Sequence, residues 1–340
     1  MTFDRSAIPA DQVLWPRQTV LGFSIDETLN YGLLHLTCRS DQESLNGKCP
    51  VKGIDDSGTT GGEILLTFIE RRSGLRTDVP LNGSLSRAYP TNLCYDAYWD
   101  GARRPLWSTF TLSCLGKKPG GTGVELSLGS QDLERLVAGR WDAELKVDLR
   151  NDTHGPILAT YTFTFDLTIT DHANASIYFP LFDHVTPHVG LNIDYIPIGT
   201  PTIGGSAALD MCLYDGLGSQ SPYLEVTISD DGRPAPGRRP GMYSVWRKDG
   251  TSDEVDRLDY EIKMDYDESK ITMHNARLER LSGVDTSKLR LVVLPGMTQP
   301  VYCVPTPLLL NTPRVSASSK TEGYYEGKLR IEMNIPVSSP

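Results

Sequence analysis

Between Cys94 and Cys114 the chain gathers Tyr95, Tyr98, Trp99, Arg103, Arg104 and Trp107. Aromatic faces stack on sugar rings, and guanidinium forks hold carboxylates through paired hydrogen bonds, so this set has the chemistry of a lectin-like site for an anionic glycan. The same residues also have a structural use, with one or both tryptophans packed on a disulfide and the arginines solvated. Arg150 ends an alternating stretch just before the turn signal NDTHGP, a pole position, and is a further receptor-binding candidate whose plainer role is that of an ordinary surface arginine.

Catalytic and metal chemistry find less support. His184 and His188, with Asp183, have i, i+4 spacing, but Pro187 opposes a regular helix and no third ligand stands nearby, so no metal site is expected. Asp230 and Asp231 read as a solvated strand end rather than a glycosidase pair. Neither G-x-S-x-G nor H-E-x-x-H occurs, and KKPGGTG lacks the spacing of a phosphate loop. The expectation is a protein without cofactor, and not an enzyme.

Six cysteines fall in three local couples, Cys38 and Cys49, Cys94 and Cys114, Cys212 and Cys303. Six thiols allow fifteen pairings; the even count and the absence of C-x-x-C spacing favour disulfides, and sequential pairing is the expectation. Each bridge would contribute about 3 to 4.7 kcal/mol through loop closure, and all imply an oxidising compartment. Residues 1–20 lack the apolar stretch of a secretion signal, so the expected chain is a mature form carrying an added start methionine. Glycosylation triplets at Asn82, Asn151 and Asn174 matter only in a glycosylating host. A net charge of −10 argues against general nucleic-acid binding.

The elements that would position these residues are strands. Length allows two domains. Alternating stretches at 33–38, 63–71, 108–114, 124–128, 143–149 and 159–169 are separated by turn signals such as DDSGTTGGE, the spacing of an all-β sandwich. One helix is predicted, SQDLERLVAGRW at 130–141, capped by Ser130. The polar segment near 170–175 marks a boundary, giving an N-terminal domain over 1–170, a short linker at 171–173 and a C-terminal domain over 174–340. In the second domain, Ala207–Asp231 reads as two strands joined by a connection of hairpin length, with Leu209, Met211 and Leu213 on one face and Leu224, Val226 and Ile228 continuing the pattern. Further strands are expected at GMYSVWR, RLDYEIKMDY, KLRLVVLP and TPLLLNT. In the last strand, predicted over Tyr325–Ile335, Leu329, Ile331, Met333 and Ile335 face one way and Lys328, Arg330, Glu332 and Asn334 the other. Without a further strand beside it, that sheet would keep an open edge and a groove able to accept a strand from another chain.

SLNGKCP at 44–50, GRWDAELKV at 139–147, IYFPLF at 177–182, LDMCLYDG at 209–216, LEVTISDD at 224–231, PVYCVP at 300–305 and YYEGKLRIEM at 324–333 carry a resemblance. Over nearly the whole chain it resembles the tip adhesins and minor pilins of class 5 chaperone-usher fimbriae, the CblD-like pilus biogenesis initiator family. The resemblance implies two immunoglobulin-like β-sandwich domains in tandem, an adhesin domain followed by a pilin domain lacking its final strand. It implies a periplasmic chaperone, an outer-membrane usher and a major pilin donating the missing strand as partners, and a host cell-surface glycan or glycoprotein as receptor. The protein would be periplasmic during assembly and then extracellular at the fimbrial tip. A subunit whose N-terminal side is a whole domain has no arm to donate onward, which suits the tip. Some relatives carry a receptor-binding arginine cluster on the outer pole; the matching positions here are Leu33, Asn151 and Asp152, with Arg150 beside them. The rival expectations are a structural assembly initiator without receptor affinity and a secreted carbohydrate-active protein.

Overall fold

A computed structural model describes residues 1–182 and 184–336, the Asp96 side chain excepted. The chain divides into two compact units, Met1–Thr170 and Asp171–Pro340. Both are built almost wholly of strands.

The first unit contains β1 (Thr2–Asp4), β2 (Gln12–Phe23), β3 (His35–Thr37), β4 (Gly62–Glu70), β5 (Arg76–Ala88), β6 (Gly121–Leu128), β7 (Gly139–Arg150) and β8 (Ala159–Thr170). They run in the order β1-β8-β7-β4-β5-β6-β2, with β3 pairing the Asp148–Arg150 end of β7, on the side where β4 pairs only its start. The β4–β7 junction is only two pairs long, Ile69 with Asp142 and Glu70 with Trp141. The sheet therefore folds over at that corner into two layers, and Trp15 of β2 meets Tyr161 and Phe163 of β8 edge-on at 5.1 and 4.8 Å across the far side. Ile64, Leu66, Phe68, Leu81, Leu126, Leu145 and Trp141 fill the space between. Trp141 donates its indole N–H to the Val137 carbonyl, so this buried ring leaves no polar atom unpaired.

Two long strands escape the sequence pattern, and each contains a proline. Pro80 in β5 pairs only with Leu65 of β4, since β6 joins β5 from Leu81 onward, so no ladder bond is lost. Pro16 sits in β2, an edge strand with repeated register shifts. The predicted helix contracts to α1 (Ser130–Leu133), whose N-cap is Gly129 rather than Ser130. Gly139 instead opens β7, which must run extended to bury Trp141. The predicted strand at 108–114 is irregular because the carbonyls of Ser108 and Phe110 are taken by the Arg87 guanidinium rather than by a neighbouring strand.

The second unit contains β9 (Ser176–Tyr178), β10 (Asp194–Ile196), β11 (Thr202–Leu209), β12 (Cys212–Tyr214), β13 (Tyr223–Ser229), β14 (Tyr243–Arg247), β15 (Arg257–Tyr266), β16 (Ser269–Met273), β17 (Arg277–Ser282), β18 (Arg290–Val292), β19 (Val301–Pro305), β20 (Leu308–Ser316), β21 (Tyr325–Glu326) and β22 (Arg330–Asn334). One sheet runs β10-β11-β20-β15-β14-β21 with β16 on β15; β18-β19-β12-β9 and β17-β13-β22 form the opposing strands. The stretch read as one strand before a hairpin changes sheets at Asp210–Met211, where β11 leaves β20 and β12 joins β19. The neighbouring chain breaks at Thr306–Pro307 in the same way, and the Thr306 N–H donates to the Met211 carbonyl at 2.8 Å. Consequently Cys212 and Tyr214 are buried rather than outward, and β13 pairs with β17 and β22, not with β12. The predicted last strand also divides. Gly327 passes so close to Val245 and Ser244 that β21 pairs with β14, while β22 lies in another sheet.

Disulfides join Cys38 to Cys49, Cys94 to Cys114 and Cys212 to Cys303. The last ties adjacent strands β12 and β19 beside the sheet switch. The connection from β12 to β13 winds around the buried Asp215 carboxylate, which accepts from the N–H groups of Leu217, Ser219 and Ser221 and from the Ser221 hydroxyl. Asp215→Ala would leave these donors unpaired, and the second unit should lose on the order of 3 kcal/mol or more in urea unfolding, with Asp215→Asn losing less because its amide oxygen still accepts.

His35 on β3 is fully buried, and its Nδ1–H donates to the Leu33 carbonyl at 2.8 Å, leaving Nε2 without a hydrogen-bond partner among the described residues. Burial holds its pKa below the ordinary 6.5, with the charges of Arg87 and Arg150 pushing the same way. Below about pH 6.5 the unfolded chain binds a proton that the folded unit refuses, so stability falls with falling pH. Melts between about pH 7.5 and 5 should show the first unit weakening by up to about 1.4 kcal/mol per pH unit from this group, a slope that His35→Gln removes.

Candidate functional site

In the second unit, β22 is the terminal strand of its sheet, bonded to β13 from Ser229–Arg330 to Glu225–Asn334. Its other edge pairs with no strand among the described residues. On β13 the inward side chains Leu224, Val226 and Ile228 are completely buried. On and beside β22, Leu329, Ile331, Met333 and Ile335 touch the same core but are only half-buried. A second row of half-buried apolar residues, Ile177, Phe182, Val189 and Leu191, packs on that core from the segment running through β9 towards β10. β9 and β10 are likewise terminal strands. Around them Leu181, Val185, Tyr195 and Ile198 are 74%, 77%, 59% and 85% exposed. The arrangement offers unpaired main-chain donors and acceptors beside an incompletely covered apolar row, the chemistry that binds an extended peptide by adding a strand.

In the first unit the five residues singled out for receptor binding do not form one cluster. Trp99 lies against the β6 backbone, where a Cβ on Gly123 would come within 2.5 Å of its ring. Trp107 occupies the equivalent place over Gly62 of β4. Both are half-buried; their packing surface is glycine backbone. Arg103 is exposed and forms an ion pair with Glu125 at 2.8 Å. Arg104 corrects the expectation of a surface group: it is buried, paired to Asp100 at 2.6 Å and stacked over Phe110. Arg150 is half-buried at the end of β7 beside His35, donating to the Gly155 carbonyl and the Thr37 hydroxyl. Leu33 precedes β3, and Asn151 and Asp152 follow β7, so these positions gather at the same end of the β3–β7 pair.

A residue that the pattern gave no reason to notice arranges this region. Arg87, wholly buried in β5, donates to the carbonyls of Leu34, Ser108 and Phe110 and to the Thr122 hydroxyl. Burial presses its pKa down to about 9, and the charge of Arg104 acts in the same direction. Its backbone N–H and the Arg104 guanidinium both use Asp100, which fixes the loop carrying Trp99 to Trp107. Nothing in the local alternation distinguishes Arg87 from a solvent-facing strand residue.

The remaining candidates separate as well. Asp230 is held by Arg238 at 2.5 Å and by the Ser244 N–H, while Asp231 accepts from the Arg233 N–H. Asp183 lies outside the described residues; His184 meets the Phe182 ring edge-on. Among the described residues no group of three or more His, Cys, Asp or Glu side chains is placed to hold a metal.

Comparison with known proteins follows the same two units. The family model for the first domain of CfaE, the E subunit of CFA/I fimbriae, matches residues 1–172, and that for its second domain matches residues 175–337. The CFA/I fimbrial E subunit of Escherichia coli is 25% identical over 308 residues, covering 88% of this chain and 80% of that protein. The crystal structure of CfaE, the adhesive subunit of CFA/I fimbria of enterotoxigenic Escherichia coli, shares the fold with a TM-score of 0.72 at 23% identity, covering 100% of this chain and 93% of that one. A chaperone–tip adhesin complex of CFA/I fimbriae biogenesis contains a chain similar at TM-score 0.68 and 23% identity, over 99% and 96% of the two chains.

Proposed function

The chain belongs to the CfaE family of chaperone–usher tip adhesins, and from that premise we propose that it stands at the fimbrial tip, where its second unit accepts a donor strand from the next pilin and its first unit binds a host receptor. The observation that carries the reading is the outer edge of β22, unpaired among the described residues and lined by the half-buried Leu329, Ile331, Met333 and Ile335. An extended strand laid there would extend the β13–β22 ladder and cover that row, gaining about 25 cal/mol for each Å² of apolar surface removed from water. A periplasmic chaperone would hold the groove first and the major pilin would replace it at the outer-membrane usher, so the protein would pass from periplasm to fimbrial tip. The segment preceding the second unit is the folded first unit rather than an extended arm, which suits a subunit that receives and does not donate. No step in this role makes or breaks a covalent bond.

A second reading, a structural initiator without receptor affinity, draws on one observation: Arg104 and Arg150 are engaged within the fold. Adhesion of fibres bearing this protein to host cells separates the two.

The groove is tested with a peptide copying the N-terminal extension of the major pilin. At a hundredfold excess over Kd the second unit should gain about 2.7 kcal/mol, seen as a rise in its melting temperature. Met333→Asp should cancel that gain while leaving the first unit's transition unchanged. A matched peptide that shifts nothing in the unaltered chain would refute strand acceptance.

A further inference from the structure

A cavity of about 420 Å³ opens over β4, β5 and β6 of the first unit, within the range of small-ligand sites, about 300–1,000 Å³. Its floor comes from the strand register. Glu63, Asn82 and Ser127 lie side by side across the three strands, and Ser84 stands beside Glu125 one rung further on. Strand alternation puts these two rungs on one face and the intervening Gly62–Gly83 pair on the other. On that other face Trp107 and Leu106 press so closely that a Cβ on Gly62 or Gly83 would come within 2.5 or 2.3 Å of them. The floor is therefore backed by packed side chains and held in shape.

One wall is set where β4 gives way to an incoming loop. The Gly61 N–H donates to the Arg103 carbonyl at 2.7 Å, and Arg104 next to it takes up main-chain bonds with Leu85. From this position the Arg103 guanidinium reaches across to Glu125 on β6 at 2.8 Å, and the nearly buried Ser84 hydroxyl donates to the same carboxylate oxygen. The side chains lining the cavity thus supply two carboxylates, one guanidinium, one amide and three hydroxyls, those of Thr60, Ser84 and Ser127.

We propose that this cavity is the receptor-binding site of the first unit and that it takes an uncharged sugar with vicinal hydroxyl groups; the proposal rests on the adhesive reading above. A carboxylate accepts both hydroxyls of a vicinal diol, an amide both donates and accepts, and a serine hydroxyl does either, so the rungs match the alternating donors and acceptors on one face of a hexose. The charge balance selects against the opposite class. Glu63 and Glu125 outnumber Arg103, whose charge is already directed at Glu125, so a sialylated or sulfated ligand would bring a further negative charge to a site with no unpaired cation among its lining groups. The aromatic and arginine-rich loop suggested an anionic ligand from sequence; its one solvent-facing guanidinium instead forms the rim of a site for a neutral one.

The test is a glycan array of neutral, sialylated and sulfated structures probed with the full chain, alongside Asn82→Leu and Glu125→Gln. Retention should be confined to neutral glycans and fall at least tenfold in each variant, with melting temperatures unchanged. A blank array, retention of acidic glycans alone, or retention undiminished in both variants overturns the proposal. Host-cell adhesion by fibres carrying the same variants separates the two levels of inference. Adhesion undiminished in both variants removes the cavity and leaves the adhesive role standing, whereas absence of adhesion by the unaltered protein removes both.

Discussion

A β-sandwich is stable when both inner faces are covered, and in the second unit that condition fails along β22. Its neighbour β13 buries Leu224, Val226 and Ile228 completely, while Ile331 and Met333, one strand further out, remain half in water. The rest of the unit is arranged so that this deficit stays local. The paired sheet switches at Asp210–Met211 and Thr306–Pro307 let two adjacent strands serve both layers, and the Cys212–Cys303 bridge fastens them just beyond the switch. The Asp215 carboxylate then gathers the loop that delivers β13. A well-fixed strand beside an uncovered row is what a strand-accepting groove requires, because an edge that shifted register would offer no defined row of side-chain positions.

The first unit depends on a different constraint, the satisfaction of a buried guanidinium. Arg87 has four hydrogen-bond acceptors, none of them a carboxylate, and draws the carbonyls of Leu34, Ser108 and Phe110 towards β5. Asp100, shared with Arg104, supplies the negative charge nearby. These demands decide which loop residues face outward: Arg104 is consumed inside, its neighbour Arg103 is left at the surface, and the tryptophans are laid over glycine positions on β4 and β6. The surface chemistry of the loop is therefore a by-product of what the interior needs, and composition alone misstates it.

Period-2 alternation marks β4, β6, β7, β8, β13 and β15 because each has one face in the core and one towards water. It fails for β5 and β2, whose prolines are harmless only through where their partners begin or because the strand lies at an edge. It also joins what the fold divides. Residues 207–214 alternate without interruption, yet the chain moves from one sheet to the other between Leu209 and Cys212, since burial on both sides of β12 erases the inward and outward distinction that alternation reports.

By itself the sequence determined the all-β class and the family, through alternating stretches, turn signals and a few specific segments, and it marked Leu329, Ile331, Met333 and Ile335 as one apolar row. These are local properties, carried by side-chain type and spacing along a single strand. Tertiary structure alone decided that β22 joins β13 while β21 joins β14, which arginine is internal, and that Glu63, Asn82 and Ser127 stand in one line. Those facts depend on register and burial between segments tens of residues apart, and no spacing within one segment encodes them.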